Sequence, residues 1–366
     1  MNEEQRIIPW NIDGALGEWY VPPYIENMAE EVLRLYNFKT TARTVMALKN
    51  EFGGLIWKLE TDDGPKSLKI LHRPPIRSLF SIAAQEYLVK KGARVPEIIK
   101  TKQGDSFVNK GEKLWFVAEW IEPLWQVSDD LHGAKLLSGA IADFHERSKG
   151  FEPPERCVKS SRLKRWPKKY SKIITKMDWF KEITELYGEM PASPVIQEAL
   201  PIFEKQAVIA HEELLSSPYR KLTERGDQAW GLAHQDYGSS NGQQSSDGMW
   251  IIDLDGVAFD LPIRDMRKLI DEYMYNLGYW DLEWVMAMLE AYDEVNPIED
   301  ELFEVLLIDM SHPNLFYKHV KGMVYEPEAF LDAEVKADVE RVLQLEETKW
   351  AVIAELRKEW KGGKRQ

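Results

Sequence analysis

The feature that most constrains this chain is an order: strand-patterned sequence comes first, and helix-patterned sequence fills nearly everything after it. In LIWKLET (55–61) the apolar residues Leu55, Trp57 and Leu59 alternate with polar ones, which predicts a strand with one buried face. SLKILH follows across DDGPK, and two such runs joined by a turn of that composition predict an antiparallel hairpin. VPEII and LWFVAEWI (114–121) read as further strands. Two helices are interleaved: ENMAEEVLRLYNF (26–38), with Met28, Val32, Leu33 and Leu35 near helical spacing, and IRSLFSIAAQEYLVKKG (76–92), ending at Gly92. After Pro123 the texture changes. GAKLLSGAIADFHERS (133–148) is an amphipathic helix, a mostly helical stretch runs to about 225, and helical patterning covers the chain from Arg264 to its end. One strand interrupts it, MWIIDLD, reached from WGLAHQDYGSSN through the turn-rich QQSSDG. A chain of 366 residues is too long for one small core and suits two lobes. No internal repeat of solenoid or propeller period is present.

That order decides what WIIDLDGVAFD (250–260) is not. A haloacid-dehalogenase-type phosphatase uses the first Asp of DxDG as nucleophile, on the first strand of a parallel sheet with alternating strands and helices after it. Here the sequence beyond Asp255 is helical and offers no strand series. A DxD glycosyltransferase would likewise need a nucleotide-sugar fold around the motif.

Composition narrows the classes further. The formal net charge of −14 excludes generic nucleic-acid binding as a first reading and leans towards cationic or metal-bound ligands, although solubility alone accounts for it. Cys157 is the only cysteine, which rules out an internal disulfide and a multi-cysteine zinc site and fits a reducing compartment. MNEEQRIIPW lacks the basic and apolar regions of a secretory leader, and no apolar run approaches the ~20 residues of a membrane span. The expectation is a soluble protein, cytoplasmic at synthesis, with no nucleic-acid or membrane partner.

Chemistry concentrates in HQDYGSSN and IIDLD. Asn241 lies five residues after Asp236, and Asp253 twelve after Asn241. Phosphoryl transfer from ATP needs metal ions bridging the phosphates, a group that orients the acceptor hydroxyl, and a cation on the nucleotide. An Asp, an Asn at that spacing and an Asp on the following strand supply a candidate base and two oxygen ligands of the kind Mg²⁺ takes.

HQDYGSSN…IIDLD resembles the HxDxxxxN…hhD core of the aminoglycoside-phosphotransferase and choline-kinase branch of the protein-kinase-like superfamily. The longer series LIWKLETDDGPKSLKILHRPP, LFSIAAQEYLVKKGARVP, RWPKKY, LAHQDYGSSN and WIIDLDGVAFDLPIRDMRKLI resembles the CotS-type spore coat proteins of endospore-forming bacteria, over roughly residues 40 to 340. The resemblance implies a bilobal α+β fold: an antiparallel-β N-lobe with its N-terminal helix over residues 1–122, and a larger helical C-lobe over 123–366. It implies that Asp236 is the catalytic-loop aspartate, that Asn241 and Asp253 are metal ligands, and that Lys69 in SLKI contacts the phosphates. Glu86 in AAQEYL would hold that lysine, and backbone groups of Glu119, Trp120 and Ile121 would bind adenine. His234 would pack beneath the loop. ATP and Mg²⁺ are the implied cofactors, with an unknown small-molecule or protein hydroxyl as acceptor and other spore coat proteins as partners.

Each residue also has a plainer reading. A lone strand lysine is usually solvated, Glu86 alone suits a wet helix face, and His234 and His145 suit structural hydrogen bonds. Asp255 is either a second metal contact or a turn former, and Asp265 either caps a helix or braces the catalytic loop. The set outweighs these readings through its order along the chain. Two places depart from the wider pattern: NEFGGLIWKL offers only Gly53 and Gly54 where protein kinases carry GxGxxG, and Tyr237-Gly238 stands where many relatives have Leu-His. Arg156, Lys159, Arg162, Lys164, Arg165, Lys168, Lys169, Lys172 and Lys176 form a basic run without acids, with Trp166 and Tyr170 between them. It is either a solvated surface or a dock for an anionic partner. Two functions therefore stand: a kinase that phosphorylates a hydroxyl, and a catalytically inactive, structural component of the coat.

Overall fold

The computed structural model describes residues 6–10 and 20–360. The leader reading rests on residues 1–10, of which 1–5 lie outside the described residues, as do 361–366 at the end of the helical series. Along the chain run α1 (Pro23–Leu33), β1 (Thr40–Lys49), β2 (Gly54–Thr61), β3 (Lys66–Ile70), α2 (Pro75–Lys90), β4 (Ile98–Ile99), β5 (Val108–Lys110), β6 (Lys113–Glu119) and β7 (Trp125–Gln126). Helices α3 (Leu131–Ser148), α4 (Trp166–Leu186), α5 (Ser193–Ser216), α6 (Tyr219–Glu224) and α7 (Asp227–Trp230) follow. Four short strands come next, β8 (Leu232–Ala233), β9 (Gly242–Ser245), β10 (Gly248–Ile251) and β11 (Ala258–Phe259). The rest is helical: α8 (Ile263–Leu277), α9 (Leu282–Asp293), α10 (Asp300–Ser311), α11 (Asn314–Val320), α12 (Pro327–Phe330) and α13 (Ala333–Glu359).

The chain divides into two compact units. The first takes the described residues up to Gln126 together with Gly150–Ser160 and Asn241–Val257. The second takes Val127–Lys149, Ser161–Ser240 and the described residues from Ala258 onward. A single cut at 122/123 therefore does not describe the division, because β9 pairs with β7 and carries the 241–257 segment into the first unit.

In the first unit the sheet runs β1-β2-β3-β6-β4, with β5 also on β6, and every pair is antiparallel. Side-chain alternation along β6 explains why the sheet is buried on both faces. Trp115 and Val117 join a core with Trp57, Leu59, Leu68, Ile70 and the α1 residues Ile25, Ala29 and Val32. Leu114, Phe116 and Ala118 point the other way, into a smaller core with Leu71, Ile98 and Ile82 of α2. The Trp57 and Trp115 rings stack at 6.0 Å. A second, three-stranded sheet orders β10-β9-β7.

The second unit is built from helix pairs: α3 packs on α9, α4 on α5 and α8 on α10. Residues of α4, α5, α11 and α13, among them Phe180, Phe203, Phe316 and Val342, form one apolar core. Inside α8 the buried Arg267 is neutralised by Asp271 at 2.8 Å and Asp309 at 2.9 Å, as a buried guanidinium requires. No helix among the described residues is long and apolar enough to cross a membrane.

Candidate active site

Within the first unit lies a cavity of about 730 Å³, large enough for a cofactor-sized molecule. Ile56, Lys58, Ser67, Lys69, Phe116 and Ala118 of the sheet form one wall. Glu119, Trp120, Ile121 and Glu122 form the second, and Gln243, Ile252, Asp253 and Leu254 the third. The three consecutive residues expected to bind a cofactor, Glu119 to Ile121, thus all line it. Glu119 also fixes the neighbouring chain, its Oε2 accepting from the Glu97 N–H at 3.1 Å.

The position of Lys69 follows from strand alternation. Leu68 and Ile70 enter the tryptophan core, so Ser67 and Lys69 face the cavity, with Lys69 opposite Ile56 and Phe116 in the sheet. Lys69 is only 9% exposed, and a buried ammonium needs opposite charge. It has two partners, Asp253 Oδ1 at 2.7 Å and Asp255 Oδ1 at 2.6 Å. Burial alone would lower the lysine's pKa. Asp255 and Asp253 outweigh that and hold it above the ordinary lysine value.

The twelve-residue spacing between Asn241 and Asp253 is the span of the β9–β10 hairpin. It ends where the Ile252 N–H donates to the Asn241 carbonyl at 2.9 Å, so both expected ligand residues sit at its open end. Asp253 itself adopts φ 58°, a left-handed conformation that costs a non-glycine residue energy and clusters at functional sites. The turn of 3₁₀ helix that follows, Leu254–Gly256, brings Asp255 back onto Lys69.

The expected Lys69–Glu86 pair is not formed. Glu86 accepts instead from Lys100 and, at 2.7 Å, from Ser106 Oγ. The reason is helix phase. Gln85 is the α2 residue that lines the cavity, its Nε2 held by the Pro96 carbonyl at 2.7 Å, and the next residue points about 100° away. Asp255, open to two readings in the sequence, takes the place at the lysine.

Asp236 belongs to the second unit, and its loop is braced from below. Strands β8 and β11 pair through Leu232–Phe259 and Ala233–Ala258, and Asp265 stands in the first turn of α8. The Asp265 carboxylate accepts from the His234 N–H at 2.5 Å and the Gln235 N–H at 3.0 Å. It also meets His145 Nε2 at 3.2 Å, and His145 Nδ1 lies 2.8 Å from the Tyr292 hydroxyl. Burial alone would raise the Asp265 pKa. The His145 hydrogen bond and the charges of Arg264 and His145 prevail and hold it well below the usual carboxylate range. Asp265 therefore braces the loop, and His145 braces Asp265.

Above this support the loop is shaped by Gln235, whose φ of 73° is also left-handed and whose Nε2 donates to Asp260 Oδ2 at 3.0 Å. Asp236 then projects outward, its side chain 72% exposed and its Oδ1 2.6 Å from Lys268 Nζ. The Tyr237-Gly238 departure has a packing explanation. Tyr237 is fully buried with its hydroxyl on the Leu137 carbonyl at 2.9 Å. A Cβ at residue 238 would stand 2.3 Å from Glu272 Oε2, while Glu272 Oε1 accepts from Ser239 N–H and Oγ. Lys268, Asp260 and Glu272 were not legible as site residues, since nothing in their local spacing marks a contact made some thirty positions away.

The residues fit a nucleotide and its metal. Among the described residues no group of three or more His, Cys, Asp or Glu is placed to hold a metal alone. Mg²⁺, however, binds through one or two carboxylates and completes its shell with phosphate oxygens and water. Asp253 and Asp255, with the Asn241 segment beside them, match a metal that arrives with phosphates.

Comparison with known proteins agrees with this architecture. No family model matches the chain. It is 28% identical over 343 residues to spore coat protein S of Bacillus subtilis, covering 92% of this chain and 96% of that protein. Among solved structures it resembles an aminoglycoside phosphotransferase from Alicyclobacillus acidocaldarius, with TM-score 0.74, 14% identity, and 95% and 99% of the two chains covered. It also resembles an amicoumacin kinase in complex with AMP-PNP, Ca²⁺ and Ami, with TM-score 0.58, 16% identity, and 92% and 94% covered. At such identities the likeness shows the fold, and the fold is the kinase-like α+β type expected from the sequence.

Proposed function

We propose that this homologue of spore coat protein S, built on the fold of the aminoglycoside phosphotransferases, binds ATP with Mg²⁺ and transfers the γ-phosphate to a hydroxyl acceptor. One observation carries the reading: the buried Lys69, clamped between Asp253 and Asp255, stands in the wall of a cofactor-sized cavity. When bound, ATP with Mg²⁺ supplies the phosphoryl group and neutralises the charge that develops on it. Lys69 binds the phosphates. Asp253 and Asn241 hold the metal, with Asp255 keeping the lysine in place. Backbone groups from Glu119 to Ile121 and the apolar wall around Phe116 bind and orient the base. Asp236 orients the acceptor hydroxyl and takes its proton. Glu86 has no part in this set, because its carboxylate is engaged with Lys100 and Ser106. The likeness to a spore coat protein makes the spore coat the proposed place of action, with other coat proteins as partners.

A second reading has its own support. Each candidate carboxylate has a cationic partner within the protein, Lys69 beside Asp253 and Asp255, and Lys268 beside Asp236. A coat component that keeps the fold for assembly alone would look like this too. Thermal unfolding with ATP, with Mg²⁺ and with both separates the two. A ligand that binds only the folded state, at about a hundred times its Kd, stabilises by about 2.7 kcal/mol. The combination should raise Tm, Mg²⁺ alone should do little because the carboxylates are occupied, and Asp253→Ala should abolish the metal-dependent part. No shift with millimolar ATP and Mg²⁺ together rejects the nucleotide reading.

A further inference from the structure

Helix α8 meets the loop of Asp236 at three successive points. Asp265, Lys268 and Glu272 stand three and four residues apart, so at about 100° per residue all three fall on one helix face. Asp265 accepts from the His234 and Gln235 N–H groups. One turn on, Lys268 Nζ donates to Asp236 Oδ1 at 2.6 Å. After one turn more, Glu272 Oε1 accepts from the Ser239 N–H at 3.1 Å and from Ser239 Oγ at 2.6 Å. Loop and helix thus run in step, every contact joining residues 30 to 33 positions apart.

The three contacts do different things. The first and the third hold backbone on either side of Asp236. The second holds the side chain itself. With its side chain 72% exposed, Asp236 is held by polar contacts more than by packing, and a charge-assisted bond is the stronger kind. The third contact depends on a missing side chain. A Cβ at residue 238 would stand 2.3 Å from Glu272 Oε2 and 3.2 Å from its Cδ. Glycine at 238 is therefore what lets the Glu272 carboxylate lie against the loop and reach Ser239.

We propose that Lys268 and Glu272 are positioning residues for Asp236. Lys268 orients the carboxylate, Glu272 fixes the outgoing end of the loop, and Gly238 admits Glu272. This rests on Asp236 being the group that takes the hydroxyl proton. Both residues act through Asp236, and neither takes a proton. A general base must place one oxygen within hydrogen-bond reach of the hydroxyl, about 2.6–3.2 Å. A misplacement of about 1 Å costs up to about a hundredfold. Asp265 alone leaves the carboxylate and the far end of the loop unfixed, and the next two turns of α8 supply both.

Water is the acceptor in the test, read as ADP release by the full chain with ATP and Mg²⁺. Its oxygen bonds to the γ-phosphorus, and the bond from that phosphorus to the β–γ bridging oxygen breaks. The proton passes to Asp236, leaving ADP and phosphate. Asp236→Asn sets the background, and Tm near the parent's shows that each variant is folded. Lys268→Met should lower kcat about tenfold with KM for ATP unchanged, and Lys268→Arg, which keeps the charge, should recover most of it. Glu272→Ala should act likewise, and Glu272→Gln, which keeps an acceptor oxygen for Ser239, should recover it. Gly238→Ala should match Glu272→Ala, and the two combined should cost no more than either alone, because both break one contact. An unchanged kcat in Lys268→Met or in Glu272→Ala, or a higher one in Lys268→Met, overturns the proposal and leaves phosphoryl transfer standing. If the parent releases no more ADP than Asp236→Asn, the proton-taking role of Asp236 is struck, and crystal structures of the parent and the two variants decide the placement. Asp236 displaced or spread over rotamers in Lys268→Met, with Ser239 displaced in Glu272→Ala, sustains it, and an unmoved loop overturns it.

Discussion

The lysine site of the first unit and the aspartate loop of the second solve one problem in opposite ways. Each must hold a carboxylate in a defined position, and each uses a left-handed residue to do so, Asp253 at φ 58° and Gln235 at φ 73°. In the first unit the charges close on one another: Lys69 sits between Asp253 and Asp255, and the lysine is nearly excluded from water. In the second the support is hidden and the working group is outside, with Asp265 and His145 fully buried and Asp236 in solvent. Lys69 is paired within its own unit with Asp253 and Asp255. Asp236 is held through the backbone of its loop, and its exposed carboxylate pairs with Lys268.

The comparison predicts that damage to the hidden support is the larger effect on stability. Asp265→Ala removes the partner of His145 and of two loop N–H groups, and truncating one member of a buried charge network costs about 3–5 kcal/mol. Because the Asp265 pKa is depressed in the folded state, its contribution is fully present above the unfolded carboxylate value, about 3.9, and is lost as pH falls through the folded one. Urea unfolding of both proteins from neutral pH downward should show the deficit of the variant shrinking only below about pH 4. A deficit that is constant across that range would break the assignment of Asp265 as an ionised brace.

Asp236→Asn should act on function with little effect on folding, since the side chain is exposed and an exposed ion pair such as that with Lys268 contributes little to stability. Transfer should fall about a hundredfold or more, the scale of a general base, with the ATP- and Mg²⁺-dependent Tm shift retained. If the substitution leaves the transfer rate untouched, Asp236 is not the base. If spores carrying it match the parent in coat assembly, phosphoprotein pattern and resistance while a deletion does not, the structural reading of the coat homologue stands.

Much of the frame was legible because alternation survives burial. LIWKLET and LWFVA show the period of two that the two opposed cores require, and the helices after Pro123 carry their own period. β1 escaped because TTARTVMALK has no fully buried position and so no clear apolar face. In the candidate site, the resemblance pointed to Lys69, which strand alternation turns to the cavity, and the spacing pointed to Asn241 and Asp253, which stand at the open end of one hairpin. The partner of Lys69 was not. A glutamate on the right helix becomes the wrong one when its phase is off by a single position, and no periodicity foretells the left-handed Asp253 that swings Asp255 onto the lysine.

That misreading supplies the smallest predicted effect and the finest test of the first unit. Glu86→Gln exchanges a partly exposed carboxylate for an amide that still reaches Lys100 and Ser106. Stability should change by no more than about 0.5 kcal/mol, and the ATP- and Mg²⁺-dependent shift should be unaltered. Asp255→Asn removes a charge 2.6 Å from a buried ammonium and should therefore cost several times more. It should also weaken the nucleotide-dependent shift, because Lys69 loses the partner that holds it beside the cavity. Measuring the two variants side by side distinguishes helix phase from family habit. If Glu86→Gln proves the more damaging to nucleotide binding, Glu86 and not Asp255 is the partner through which Lys69 serves that binding.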